Sequence, residues 1–168
     1  MPLFSLKPEN LQQLFLKELR DLYDAEGQIT KALPKMIDGA SYPELKSALQ
    51  EHLDVTKLQI QRLDQIFQIL GEKSTGESCK GMKGVISEGS EMMSDAKDPS
   101  TRDAGIISSA QRVEHYEIAG YGTARTYAHL LGQQHIAQLL QQTLDEEKQA
   151  DNTLNKIASS VNLEAKAA

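Results

Sequence analysis

Residues 111–123 read Gln111-Arg112-Val113-Glu114-His115-Tyr116-Glu117-Ile118-Ala119-Gly120-Tyr121-Gly122-Thr123. Glu114 and Glu117 stand three residues apart, so their side chains are neighbours on one face of a helix. The rest of that face is apolar and recurs at helical spacing: Ile107, Ala110, Ile118 and Tyr121. This segment therefore predicts a helix that places two carboxylates in its buried stripe.

Three further long segments carry apolar residues at helical spacing, so the chain has four predicted long helices, at about residues 8–38, 41–71, 99–131 and 133–159. Residues 72–98 are richer in Gly, Ser and Lys and predict a long crossover that contains one short helix. Two tight helical hairpins joined by a long crossover are typical of the ferritin-like four-helix bundle. No segment alternates as a strand does, so the expected fold class is all-α, with residues 1–168 as a single domain.

The predicted helix ends follow familiar capping signals. Asp98 followed by proline suits the start of the third long helix, and Gly71 and Gly132 suit the ends of the second and third. Ser41 and Glu44 have the spacing of a capping box at the start of the second. The tail beyond residue 160 is expected to fray.

Composition and charge exclude several classes of function. The net charge of −6 and the lack of a Lys/Arg cluster argue against a nucleic-acid partner. No stretch approaches the roughly 20 apolar residues of a membrane span, and Met1 to Asn10 have no apolar run of signal-peptide length. We therefore expect a cytoplasmic protein. Cys79 is the one cysteine, so no intrachain disulfide can form, and we interpret it as a partly buried thiol of no special role.

Each of the four predicted long helices places an ionisable residue within its apolar face when positions are advanced by about 100° per residue. The residues are Glu26 on the first helix, His52 on the second, Glu114 and Glu117 on the third, and Glu147 on the fourth, with Asp151 one turn further on toward an edge. All but the last pair lie near mid-helix. Because mid-helix positions of antiparallel hairpins meet at one level, we expect these side chains to lie close together.

Buried carboxylates that lie close together must be compensated. Burial of an isolated carboxylate costs several kcal/mol, and like charges raise one another's pKa. Protonation could relieve one or two of them, and Arg125, which lies near the same stripe, could pair with another. A bound cation relieves all of them, and carboxylates with a histidine suit Fe, Mn or Zn. For Asp151 an edge position without a ligand role fits equally well.

The chain resembles the YciE/YciF family of ferritin-like bacterial proteins. Residues 111–123 carry most of the likeness, and the other matching segments are Leu22-Tyr23-Asp24-Ala25-Glu26, Leu33-Pro34-Lys35-Met36, Glu51-His52-Leu53 with Thr56, and Thr143-Leu144-Asp145-Glu146-Glu147-Lys148. The resemblance implies a ferritin-like bundle, often dimeric, with a two-metal site between the helices and an association with bacterial stress responses.

The ligand pattern departs from the usual ferritin-like one of Glu and Glu-x-x-His, each used twice. The second helix has His52 but no Glu three residues before it, and the fourth has Ala150 where the histidine would stand. We therefore keep two hypotheses. In the first, the chain is a di-metal carboxylate protein with two metal ions, Fe first and Mn or Zn as alternatives, and oxidase-type chemistry, with Glu26, His52, Glu114, Glu117, Glu147 and Asp151 as candidate ligands. In the second, it is a structural or interaction bundle that has lost redox activity. Whether it is an enzyme is left open. A homodimer is the expected assembly, and a storage cage is disfavoured.

Overall fold

The computed structural model describes residues 7–168, and within them the chain forms five helices and no strand. They are α1 (Leu11–Gly39), α2 (Pro43–Leu70), α3 (Lys80–Asp95), α4 (Pro99–Leu130) and α5 (Gln134–Ala167). The all-α class and the short helix in the crossover are confirmed. Residues 1–6 of the predicted domain lie outside the described part, and the single-domain assignment stays a prediction.

The four long helices enclose the centre of the molecule. α1 packs against α2 and α4, and α5 packs against α4 and α2, so the contacts close a ring; α3 lies across α4 and α1. Gly120 allows α1 and α4 to approach closely, because a Cβ at that position would lie 2.7 Å from Leu22 Cδ2. This approach brings the middle of α1 next to the middle of α4.

The core is divided along the helix axes into two apolar clusters. One contains the C-terminal half of α1 and the N-terminal half of α2, with Ile29 and Leu49 as examples. The other contains the N-terminal half of α1 and the C-terminal half of α2, with Phe15 and Phe67 as examples. The described residues between the clusters are polar and buried, and they form one layer across the bundle: Glu26, His52, Thr56, Gln59, Glu114, Glu117 and Glu147.

The helix ends agree with the capping signals at most positions. The Asp98 side chain accepts a hydrogen bond from the Thr101 amide and caps α4, and Gly71 ends α2 with φ of 67°. Gly132 likewise has positive φ, in the turn between α4 and α5. α5 runs further than predicted, to Ala167, because Val161 is buried in the first apolar cluster and holds the last turns against the bundle.

The predicted capping box at Ser41 is wrong. α2 begins after Tyr42 without a side-chain cap from its own segment. Instead, the carboxylate of Asp103 on α4 accepts hydrogen bonds from the backbone amides of Ser41 at 2.7 Å and Tyr42 at 2.8 Å. A residue 62 positions from Ser41 and 61 from Tyr42 therefore caps α2 in place of the local capping box, and it joins the α1–α2 turn to α4.

Cys79 also differs from its interpretation as an unimportant thiol. It is fully buried and caps α3, with Sγ accepting a hydrogen bond from the Met82 amide. Sγ lies 3.1 Å from Asp21 Oδ2 and 3.0 Å from Tyr116 Oη. The thiol thus fixes the start of α3 against both α1 and α4.

The Asp103 contact gives a stability prediction. Asp103→Ala should lower the free energy of unfolding by roughly 1–3 kcal/mol, because two amides lose a buried charged acceptor. Urea denaturation followed by circular dichroism measures the change. Asp38→Ala, at an exposed position on α1, is the control and should be close to neutral. If Asp103→Ala were as stable as the control variant, the cap would have no energetic role.

Candidate metal centre

Four side chains from three helices converge within the polar layer. One ligand atom each from His52, Glu114, Glu117 and Glu147 can be chosen so that all lie within 4.8 Å of one another. His52 Nε2 lies 3.5 Å from Glu114 Oε1. The three glutamates are 0–2% exposed and the histidine is 8% exposed. The helices therefore bring together four of the six residues proposed from the sequence.

Glu26 lies beside this group and is also fully buried. Its Oε1 accepts a short hydrogen bond from the Tyr121 hydroxyl, one turn beyond Glu117 on α4. The phenol is itself fully buried in the second apolar cluster. Tyr121 therefore holds one oxygen of Glu26 and leaves the other directed into the layer.

Asp151 is in a different position from the other candidates. Its carboxylate accepts hydrogen bonds from Gln111 Nε2 at 3.1 Å and Asn155 Nδ2 at 3.3 Å, and His115 Nε2 lies 3.4 Å away. Asp151 lies outside the converging group found among the described residues, although its charge acts on Glu114. These contacts agree with the edge position that the sequence left open.

When its carboxyl groups are ionised, many polar atoms of the layer have no hydrogen-bond partner within the protein; protonated carboxyls can pair with one another, Glu26 with Glu117 and Glu114 with Glu147. They include both carboxylate oxygens of Glu117, one oxygen each of Glu26, Glu114 and Glu147, and His52 Nε2. Nearly all buried polar groups in proteins are hydrogen-bonded, because an unmet group costs about 1–3 kcal/mol and more when it is charged. Such a concentration of unpartnered oxygen and nitrogen atoms in one small volume is the arrangement expected where these atoms could bind a cation.

The same crowding shifts the pKa values in the layer. Burial, followed by the charge of Glu147, raises the pKa of Glu26 well above its usual value of 4.5, and the Tyr121 hydrogen bond offsets this in part. Burial and the neighbouring carboxylates also raise the pKa values of Glu114 and Glu117 well above that value. Burial lowers the pKa of His52, with the charge of Glu147 opposing the shift. The metal-free layer therefore favours neutral carboxyls at Glu26, Glu114 and Glu117 and a neutral imidazole at His52.

Sequence reasoning missed Gln59, which lies on the same face of α2 as His52 and Thr56. Gln59 is fully buried, and its Nε2 donates a short hydrogen bond to Glu147 Oε1 and another to Glu146 Oε2 at 3.2 Å. Spacing could have found it, because it follows Thr56 at i+3. A projection of ionisable residues alone onto the helix faces leaves out this uncharged amide.

The arginine next to the layer is Arg62, and the pairing expected of Arg125 is wrong. Arg125 Nη1 donates to Gln141 Oε1 at 2.7 Å, within the hairpin of α4 and α5. Arg62 binds Glu146 through both guanidinium nitrogens, at 2.8 and 2.9 Å. Its positive charge also acts to lower the pKa of Glu26, against the larger effect of burial.

Two openings reach the centre. A cavity of about 230 Å³ lies between α1, α3 and α4, and a wider pocket of about 820 Å³ lies between α2 and α5. Both are lined in part by His52 and Glu114. The group is therefore buried but accessible to small molecules from two faces of the bundle.

The fold and these residues define a class: a helical bundle with a buried histidine–carboxylate cluster that could hold a metal ion. The chain belongs to the family described as domain of unknown function DUF892, whose model matches residues 10–167. It is 40% identical to protein YciF of Escherichia coli K12 over 151 residues, which cover 89% of this chain and 91% of YciF. The resemblance seen in residues 111–123 is thereby confirmed.

Solved structures give the same assignment. The crystal structure of the E. coli stress protein YciF matches with a TM-score of 0.88 and 39% identity, over 92% of this chain and 98% of YciF. YcfI of Rhodopseudomonas palustris, described as a candidate structural protein, matches with a TM-score of 0.88 and 46% identity, over 90% of this chain and 97% of YcfI.

The raised carboxyl pKa values predict how the stability of the metal-free protein depends on pH. Glu26, Glu114 and Glu117 keep protons in the fold that the unfolded chain releases near 4.5, so their contribution is present below that pH and is lost as the pH rises. The pKa of His52 is lowered, so below pH 6.5 the unfolded chain binds a proton that the folded protein does not, and this contribution to stability increases with pH. As the pH rises, the three glutamates lower the stability and the one histidine raises it. The free energy of unfolding should therefore be smaller at about pH 8 than at about pH 5.

Urea denaturation of chelator-treated protein across this range measures the effect. The variant Glu114→Gln, Glu117→Gln should have a flatter pH profile, because two of the titrating groups are gone. An unchanged slope in this variant would show that the pH dependence comes from elsewhere in the chain.

Proposed function

We propose that this chain is a ferritin-like four-helix bundle that holds two metal ions in its polar layer, with Fe first and Mn or Zn as alternatives. The observation that carries the proposal is the set of unpartnered, buried carboxylate and imidazole atoms. Two divalent ions would balance the four negative charges of Glu26, Glu114, Glu117 and Glu147. Carboxylates with an imidazole are ligands that suit these metals and disfavour those that seek thiolates.

The proposed roles follow from position. Glu114 and Glu117, adjacent on α4, would bridge or cap the two ions, and Glu26, Glu147 and His52 would be terminal ligands. Asp151, whose oxygens are held by Gln111 and Asn155, would influence Glu114 through its charge without binding. Bound Fe or Mn would supply oxidase-type chemistry, namely oxidation of ferrous iron or reaction with oxygen or peroxide, whereas bound Zn would not, because it has no redox chemistry.

The protein's own part in this function is to orient the ligands. Tyr121 positions Glu26, and Gln59 positions Glu147. Arg62 and Thr143 form the next part of that network, since Arg62 donates to Thr143 Oγ1 at 2.5 Å and binds Glu146. Hydrogen bonds of this kind fix the geometry of a metal site and tune its affinity.

The biological setting is proposed by similarity and from the sequence. Because the related E. coli protein is described as a stress protein, we propose a stress-associated role for this chain as well. A homodimer and a cytoplasmic location stay predictions from the sequence. In the part of the chain that the structure describes, no helix combines the length and apolarity needed to cross a bilayer.

A second candidate is a structural or interaction bundle without redox activity. The missing Glu before His52 favours it, and so does the description of YcfI as a candidate structural protein. In that case the carboxylates would stay protonated or hydrated, and their removal would relieve crowding without loss of function.

Metal content tests the proposal. Protein purified without chelators should contain Fe, Mn or Zn by elemental analysis, and metal added to chelator-treated protein should raise the melting temperature, because a ligand that binds only the folded state stabilises it. Absence of all three metals together with an unchanged melting temperature would reject the proposal.

A double variant separates the two candidates. Glu114→Ala, Glu147→Ala should lose the metal and the metal-dependent rise in melting temperature, because two carboxylates of the group are removed. The control is Glu51→Ala, Asp54→Ala, which removes two exposed carboxylates from α2 and should keep both. The structural candidate is favoured if Glu114→Ala, Glu147→Ala is at least as stable as the wild type and if neither this variant nor the wild type binds metal.

A further inference from the structure

The cavity between α1, α3 and α4 has mostly apolar walls. Apart from its two ends, it is lined mainly by aliphatic and methionine side chains such as Ala32, Met36, Val85 and Met93, with Gln28, Ser90 and Ser109 as polar exceptions. α3 supplies one wall, so the crossover helix completes the cavity. Water gains few hydrogen bonds in such a space, and apolar cavities of this kind favour apolar guests.

The volume limits the size of a guest. An apolar cavity of about 150 Å³ accommodates benzene, with six heavy atoms. By that proportion, the space of about 230 Å³ suits an aliphatic chain or ring of about nine heavy atoms.

The two ends of the cavity differ in charge and exposure. Buried Glu114 and His52 form the inner end, so the cavity stops at the metal centre proposed above. Lys31 and Lys35 form part of the outer end; both are exposed and stand four residues apart on α1. Among the described residues neither lysine forms an ion pair, so both are available to an anion at the mouth.

We propose that this cavity binds a medium-chain aliphatic carboxylate. The alkyl chain fills the apolar space and points toward His52 and Glu114, and the carboxylate stays at the mouth beside Lys31 and Lys35. The binding itself is independent of the proposed function.

Titration calorimetry of chelator-treated protein with octanoate tests the binding. Octanoate should bind, and Ala32→Leu should weaken it about tenfold or more, because the added carbons occupy the space of the guest. Ala48→Leu is the matched control: it makes the same change at a half-buried alanine that lines the other pocket, and should leave the affinity unchanged. Circular dichroism confirms that each variant is folded, and Val85→Phe blocks the cavity independently from α3.

The charge at the mouth is tested with octan-1-ol and with Lys31→Gln, Lys35→Gln. Octanoate should bind more tightly than the alcohol at low salt, and the double variant should remove that preference. No binding of octanoate, or equal loss in Ala32→Leu and Ala48→Leu, would overturn the cavity assignment. Equal binding of acid and alcohol would overturn the carboxylate assignment. Because the protein is metal-free throughout, these results are separate from the test of the metal centre.

Discussion

The structure depends on a layer of carboxylates buried across the middle of a helical bundle. An apolar core of this size would be more stable with aliphatic residues at these positions, because each buried carboxylate loses its hydration and repels its neighbours. The two apolar clusters on either side supply the burial that keeps the fold together around the layer. The cost of burial is clearest at Glu117, because neither of its carboxylate oxygens has a hydrogen-bond partner when the group is ionised.

The rest of the bundle holds the layer in register. Gly120 allows α1 close to α4, Asp103 ties the α1–α2 turn to α4, and Cys79 fixes the start of α3 against the same two helices. Each contact joins elements that are far apart in sequence. The polar network of Gln59, Arg62 and Glu146 does the same between α2 and α5, so the orientation of Glu147 depends on a neighbouring helix.

The positions of the two pockets indicate how a small molecule could reach the buried carboxylates of the layer. The wider pocket between α2 and α5 is lined by many glutamines, and the narrower one under α3 is apolar. Both end at His52 and Glu114. Under the two proposals above, ions would enter through the wider pocket and an aliphatic molecule through the narrower one.

The sequence by itself determined the all-α class, the crossover helix and the ionisable residues of the layer, because helical periodicity is local and a charged residue on an apolar stripe is visible from spacing alone. Tertiary structure decided the rest. It separated Asp151 from the group, replaced Arg125 by Arg62, and gave Asp103 and Gln59 their roles. These outcomes depend on which side chain of another helix lies within hydrogen-bonding distance, and on how deeply each is buried. Helix packing sets both the distances between side chains and their burial, and neither can be read from the periodicity of a single segment. The sequence places two carboxylates, Glu114 and Glu117, on one helix. Packing makes them part of a layer that is shared by four helices.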